Sequence, residues 1–448
     1  MDRLISKYNT PGPRYTSYPT VPHWDASSHN EENWKKSVID CFTEGNNTVS
    51  LYIHLPFCES LCAYCGCTTK ITKNHSVEET YITHVLKEWD LYMASFPTAP
   101  TIKEIHLGGG TPTFFTPDNL QRLIKGITKN TILSSDYEFG FEGHPNNTTE
   151  AHLKALSELG FSRISLGIQD FNTEVQKTIN RRQTFEQVKK VTELARQYGF
   201  QSINFDLIYG LPKQSSETIQ ETIQKTIELN PSRIAFYGYA HVPWIKRAQN
   251  SFVEFLPTPE LRLEMYQTGK KLLTDAGYHD IGMDHFAQSE DKLYKAFMDG
   301  SLHRSFMGYT TQTSDLLIGL GMSSISDSWK AFNQNEKVLD KYYERIDNGE
   351  LPIIKGHQLS EQDLIIRQHI LNLMCRFETS WDTKEFYAFE NLYNADLLNE
   401  LQNDQLIEWN SEGIKVLDLG KPFVRNVCMA LDPHLWENKE MRAFSQTV

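Results

Sequence analysis

The chain has 448 residues, 39% of them hydrophobic and 23% charged, with a formal net charge of −13. That length exceeds one ordinary core and points to a large domain with a smaller one, while the acidic balance argues against a nucleic-acid binder, which needs a basic face to displace phosphate counterions. No apolar run approaches the roughly 18 residues of a membrane span, and the start MDRLISKYNT lacks a signal peptide's apolar core, so the expected location is the cytoplasm with no membrane partner.

Residues 1–45 carry Tyr8, Pro11, Gly12, Pro13, Arg14, Tyr15, Tyr18 and Pro19, which predicts an extended, aromatic-rich arm rather than a helix. A second region, 46–340, opens on alternating short β-rich runs and longer helical patterns. Strands are predicted near 49–54, 102–107, 137–142, 162–167, 202–208 and 233–239, with helices at 77–95, 117–128, 149–159, 184–198 and 215–229. Six βα units predict an α/β fold, either an incomplete (β/α)6 barrel or a doubly wound sheet, which periodicity alone does not separate. In both, functional residues gather at the carboxyl ends of the strands. The unusual residues fall there: a cysteine loop after the first strand, Gly108-Gly109-Gly110-Thr111 after the second, then Glu142, Gln169 and Asp206 after the third, fourth and fifth. From about 355 to 448 the rhythm is lost. Helical runs at 360–376 and 383–403, a hairpin strand in EGIKVLDLG and a helical tail at 419–440 predict a second, mostly α-helical domain.

Of seven cysteines, four crowd into Cys58-Glu-Ser-Leu-Cys62-Ala-Tyr-Cys65-Gly-Cys67, unlike the spread framework of a secreted disulfide protein. Three thiolates at these spacings can wrap one loop around an iron-sulfur cluster. Structural zinc is the bland alternative, but it usually joins two separated pairs, whereas Cys41, Cys375 and Cys428 are solitary. A four-ligand ferredoxin site is the other alternative, although Cys65-Gly66-Cys67 is tight for two ligands of one cubane.

CxxxCxxC after a first strand, with Tyr64 before the third cysteine, resembles the radical S-adenosylmethionine (SAM) superfamily. More closely, Tyr52-Ile-His-Leu-Pro-Phe-Cys58, Cys65-Gly-Cys67, Gly108-Gly-Gly-Thr-Pro-Thr113, Gly167-Ile-Gln-Asp-Phe171, Asp206-Leu-Ile-Tyr-Gly-Leu-Pro212 and Tyr239-Ala-His241 resemble the oxygen-independent coproporphyrinogen III dehydrogenase family of haem biosynthesis. The likeness extends to Gly12-Pro-Arg-Tyr-Thr-Ser-Tyr-Pro19, Gly308-Tyr-Thr-Thr-Gln312 and Arg425-Asn-Val-Cys-Met429. It implies a [4Fe-4S] cluster on Cys58, Cys62 and Cys65 with SAM on the open iron, and oxidative decarboxylation of two propionates of coproporphyrinogen III. It also implies two SAM molecules, a reducing donor such as a flavodoxin or ferredoxin, an external terminal acceptor, and a monomer.

The resemblance further implies that Tyr52, Tyr64, Gly109, Gly110, Thr111, Glu142, Ala240 and Ile325 contact SAM and that Gln169, Arg181 and Asp206 bind a second SAM. Cys67 is a required cysteine that need not ligate iron, with a catalytic role at the substrate or second SAM. Each has a bland counterpart. A glycine turn at a barrel rim needs no ligand, Arg181 has Arg182 beside it, and His144 stands where the family more often has Asp. Arg14, Arg304 and Arg425 are the cations considered for the substrate carboxylates, against the alternative that each is an ordinary solvated arginine. Two related proteins remain as alternatives: a haem chaperone, whose relatives lack the Cys67 position and the arm motif, and a haem-degrading radical SAM methyltransferase.

Overall fold

The computed structural model describes residues 2–25, 30–382, 393–437, 444, 446 and 447. All six predicted parallel strands form: β1 (Thr48–Leu55), β2 (Thr101–Gly109), β3 (Ile132–Gly143), β4 (Phe161–Gln169), β5 (Ser202–Tyr209) and β6 (Arg233–Gly238). They lie side by side in chain order and each adjacent pair is parallel. Consecutive order with no switch point is the singly wound, barrel-type arrangement, so the doubly wound alternative falls. The sheet stays open. β7 (His279–Gly282) and β8 (His285–Ala287) extend it beyond β6, and β9 (Leu317–Leu320) adds a seventh parallel strand beside β1, followed by antiparallel β10 (Ile325–Asp327), β11 (Ala331–Asn335) and β12 (Ile353–Gln358).

Side chains alternate across a strand, and here the two faces are chemically opposite. Leu51, Ile53, Ile105, Leu107, Phe139, Phe141, Ile164, Leu166, Phe205, Leu207, Ile234 and Phe236 are buried and share one core with Val85, Leu123, Leu156, Val188 and Ile223 of the crossover helices. The alternate positions carry Tyr52 and His54, Glu104 and His106, Glu138 and Glu142, Arg163 and Ser165, Asn204 and Asp206, and Arg233 and Tyr237. The concave face of the sheet is therefore polar. Helices Glu150–Glu158, Phe185–Gln197 and Ser216–Leu229, which cross over after β3, β4 and β5, start on capping boxes at Thr149, Thr184 and Ser215, which satisfy first-turn amides.

The arm departs from the non-helical expectation at both ends. Asp2–Tyr8 and Glu31–Glu44 are helices, the latter capped by Asn30 and burying Trp34, Val38, Cys41 and Phe42 on one face. That i, i+4, i+7, i+8 spacing was readable in the sequence. Among the described residues between them the only helical element is a 3-10 turn, Val21–His23, and the arm packs against the C-terminal region: Tyr8, Tyr15 and Tyr18 share a core with Ile370, Leu373, Phe423 and Val427. In that region the hairpin strand is the centre of a three-stranded sheet, Gly413–Val416 between Ile407–Asn410 and Glu378–Ser380. Helix Glu361–Arg376 matches the first predicted run. Of 383–403, Ala395–Asn403 is helical and 383–392 lies outside the described residues. The predicted tail helix is broken into a 3-10 turn and two short helices, Val424–Met429 and Pro433–Glu437, with 438–440 outside the described residues.

Candidate active site

A chamber of about 880 Å3 opens at the carboxyl ends of the parallel strands. Cys58, Cys62, Cys65, Cys67, Tyr64, Gly109, Gly110, Thr111, Glu142, Gln169, Arg181 and Asp206 all line it, brought together from the carboxyl-terminal parts of five strands and the loops after them; Glu142, Gln169 and Asp206 lie on β3, β4 and β5 themselves rather than after them. Cys67 is the exposed member of the cysteine group. Its hydrogen bond to Cys65 lowers the Cys65 thiol to about 6 and raises Cys67, whereas burial pushes Cys58 up to about 11. The loop is held from three sides: Cys58 Sγ lies 3.3 Å from Thr111 Oγ1, Lys246 Nζ donates to Cys67 O at 2.7 Å, and Gln249 Nε2 donates to Tyr64 O at 3.0 Å.

The glycine turn proves to be a packing requirement as much as an opening. Gly109 has φ +109°, and a Cβ there would stand 2.4 Å from His54; one on Gly110 would stand 2.6 Å from the Pro56 carbonyl. The room left by the missing side chains is filled by the chain itself, and the turn is thereby drawn onto β1. Gly109 N in turn donates to Glu142 Oε2 at 3.1 Å.

Glu142, its side chain 43% exposed, heads a relay that runs back to the buried His106, Glu138 and Glu104. Burial pushes its pKa up, but His106, 3.4 Å away, together with the Gly109 amide holds it below its ordinary value. Arg163 approaches His106 Nδ1 at 3.3 Å and pairs with Glu138 at 3.0 Å and Glu104 at 3.6 Å. One guanidinium between two carboxylates leaves a surplus of negative charge, and burial, only partly offset by Arg163, raises Glu104 to about 7. Asp206 is likewise raised to about 7 by burial, despite hydrogen bonds from Ser165 (2.9 Å) and Asn204 (2.8 Å).

Arg181 rather than Arg182 reaches the thiols. Its Nη1 lies 3.6 Å from Cys62 Sγ and Nη2 donates to Gly167 O, while its buried Nε has no hydrogen-bond partner among the described residues. His144, held well below its ordinary pKa by burial, accepts from Asn146 N at 3.1 Å, and its carbonyl takes the Thr148 amide; it shapes the loop after β3. Three predicted residues do not line the chamber. Tyr52 stacks on His106 at 6.2 Å, Ala240 is tied through its carbonyl to Gln249, and Ile325 packs beside Trp24 and Phe332. His106, Arg163, Asn204 and Tyr237 were missed by the sequence reading. Their signal was the period-2 alternation, which puts His106 on the face of Gly108 and Arg163 on that of Gly167.

The arginines considered for the substrate divide. Arg425 donates to the carbonyls of Gly12, Pro13 (2.8 Å), Gln446 (3.0 Å) and Thr447 (3.1 Å), so it clamps the arm to the tail. Arg14 is partly exposed, 3.7 Å from Asp284. Arg304 lies over the Tyr309 ring at 4.6 Å and donates to Arg14 O at 3.3 Å, with Nε and Nη1 buried and unpartnered among the described residues.

Cys58, Cys62 and Cys65, on one loop lining the chamber, supply the thiolate donors that an iron-sulfur cluster uses, and the unsatisfied Arg181 guanidinium donor beside Cys62 suits an anionic ligand. Residues 52–226 match the family model of the radical SAM superfamily, and that is the class to which the sheet and its cysteine loop conform. The chain is 38% identical to the oxygen-independent coproporphyrinogen III oxidase of Helicobacter pylori (strain J99), covering 96% of each chain, and 37% identical to that of Escherichia coli (strain K12), covering 99% of this chain and 98% of the relative. The solved structure of the Escherichia coli coproporphyrinogen III oxidase, a radical SAM enzyme, superposes with a TM-score of 0.90 at 35% identity over 97% of this chain and 99% of that one. This chain belongs to the oxygen-independent coproporphyrinogen III oxidase family, whose cofactors are a [4Fe-4S] cluster and SAM. No helix among the described residues is long and apolar enough to cross a membrane.

Proposed function

We infer that this chain catalyses the oxygen-independent oxidative decarboxylation of coproporphyrinogen III to protoporphyrinogen IX. The observation that carries the reading is likeness to the oxidases over nearly the whole chain, joined to a thiol-lined chamber at the mouth of the sheet. A cluster held by Cys58, Cys62 and Cys65, with SAM bound, would supply a 5'-deoxyadenosyl radical that takes one hydrogen atom from a propionate. The carboxylate then leaves as CO2, the remaining electron passes to an external acceptor, and a vinyl group is left.

The residues of the chamber bind and orient. Glu142, kept ionised by His106 and the Gly109 amide, is suited to the ammonium group of SAM. Arg181, with a donor to spare, is suited to a carboxylate. Gln169, Arg181 and Asp206 form the wall we assign to a second SAM, one for each decarboxylation, with Tyr64 beside them and Tyr52, Ala240 and Ile325 acting from outside that wall. We assign residues 46–340 to catalysis, 355–448 to a supporting domain and 1–45 to a lid. A low-potential flavodoxin or ferredoxin would reduce the enzyme, which we take to be monomeric.

Anaerobic reconstitution with iron and sulfide, then dithionite, SAM and coproporphyrinogen III, should yield protoporphyrinogen IX with two 5'-deoxyadenosines per product. Stoichiometric haem binding without vinyl formation would instead make the protein a haem chaperone. Deletion of residues 1–20 with turnover unchanged would remove the lid role.

A further inference from the structure

A second cavity, of about 750 Å3, lies between the arm, the end of β6 and the C-terminal tail. Four cations border it, Arg14, Arg262, Lys421 and Arg425, against a single acid, Asp284, among the described lining residues. In a chain of net charge −13 this is a pronounced local reversal. Lys421 is engaged by Asp418 at 2.8 Å and Arg425 is saturated by backbone carbonyls, so these two contribute field more than donors. Arg262 is different. Its one hydrogen bond among the described residues runs from Nη2 to Tyr239 O at 3.1 Å, which leaves most of a half-buried guanidinium fork open to the cavity and available to a ligand. Burial works against its ionised form, partly offset by Tyr209 and Tyr239, and the charge of Arg14 adds to the same effect. The rest of the lining is flat and aromatic, with Tyr209, Tyr239, Tyr266 and the 59%-exposed Trp244 at the rim.

The two cavities stand back to back. Tyr237 and His285 line the thiol chamber, and their neighbours along the chain, Gly238 and Asp284, line this one. The Arg14 guanidinium lies 5.9 Å from the centre of the Tyr237 ring, so the partition is one side chain thick. The volume is that of a site for a drug-sized ligand, about 300–1,000 Å3.

We propose that this cavity is a carboxylate dock for the tetrapyrrole, in which Arg14 and Arg262 hold propionates that are not reacting while the macrocycle passes the Tyr237 partition and delivers another propionate to the thiol chamber. The proposal rests on the function inferred above. It accounts for a cationic cavity built from the arm, the barrel and the tail together, because a ligand with four carboxylates needs several anchors beyond the reacting centre.

The probes are coproporphyrin III, a fluorescent tetracarboxylate, and its neutral tetramethyl ester, titrated into the full-length holoprotein. Arg262→Gln is expected to weaken coproporphyrin III binding roughly tenfold, the size of one lost charge-assisted hydrogen bond. Arg262→Lys should recover part of the loss. Trp244→Ala, an exposed change that keeps the fold, should weaken binding roughly threefold. The ester should bind wild type weakly and be indifferent to residue 262. Unchanged coproporphyrin III affinity in both Arg262→Gln and Trp244→Ala, or equal binding of acid and ester, overturns the dock. Binding that depends on Arg262 in a protein that makes no vinyl product would keep the dock and sink the reaction. Turnover with a KM indifferent to residue 262 would keep the reaction and sink the dock.

Discussion

Arg425 and Arg181 are both buried, and their surroundings treat them in opposite ways. Arg425 spends its donors on four backbone carbonyls from the arm and the tail, far apart in sequence. Arg181 gives one nitrogen to Gly167 O and another to the Cys62 sulfur, and keeps a buried Nε without a partner among the described residues. The contrast teaches how to tell a structural cation from a binding one. Depth does not discriminate. Saturation does, because a buried donor left open costs free energy that a ligand can return.

The sharpest test of the comparison lies at the thiols. Cys62→Ala should strip the iron and reduce product formation to background, by iron assay and product chromatography. Cys67→Ser should keep full iron and still lose turnover; loss of iron there would make Cys67 a ligand and break the distinction drawn within the loop. At the saturated pole, Arg425→Met should leave four carbonyls short of donors and destabilise the chain by about 3 kcal/mol or more. The urea midpoint should fall while the iron content per folded chain holds.

Glu88 extends the comparison to carboxylates. It is buried in the wall with hydrogen bonds from Gly321 N (2.8 Å), Asn335 (2.6 Å) and Tyr342 (2.7 Å), and burial still raises it to about 7. Between about pH 4.5 and 7 the folded chain thus holds a proton that the unfolded chain has released. Its stabilising contribution is complete below that window and is lost as pH rises through it, at up to about 1.4 kcal/mol per pH unit. Stability curves against pH should be flatter by that slope in Glu88→Gln. A slope equal to wild type would show Glu88 ionised in the fold. The smallest effect is expected for Arg181→Lys, which keeps the charge but loses the planar fork; we expect SAM affinity to fall roughly tenfold by equilibrium binding, with the urea midpoint nearly unmoved.

Much of the site was legible because it is local. The thiol loop, the glycine turn, Glu142 and Gln169 lie at strand ends and Asp206 in the carboxyl-terminal half of β5, and these ends converge in a parallel sheet whatever the details of the helices. The His106–Arg163–Glu138–Glu104 network was equally present as alternation along β2, β3 and β4, but an isolated polar residue in a strand does not announce its partner. The helix at Glu31–Glu44 was hidden for another reason: the prolines and tyrosines just before it set the reading for the whole arm.

The sequence by itself determined the six βα units, the cysteine loop and the family, since these depend on short-range periodicity and on motifs that carry their chemistry with them. Tertiary structure alone decided the consecutive strand order, the seventh parallel strand Leu317–Leu320, and the roles of the arginines. Arg14, Arg262 and Arg425 read alike along the chain. They differ only in which carbonyls and carboxylates the fold places beside each guanidinium, and many of those partners, such as Gly12 and Pro13 for Arg425 and Asp284 for Arg14, stand hundreds of positions away.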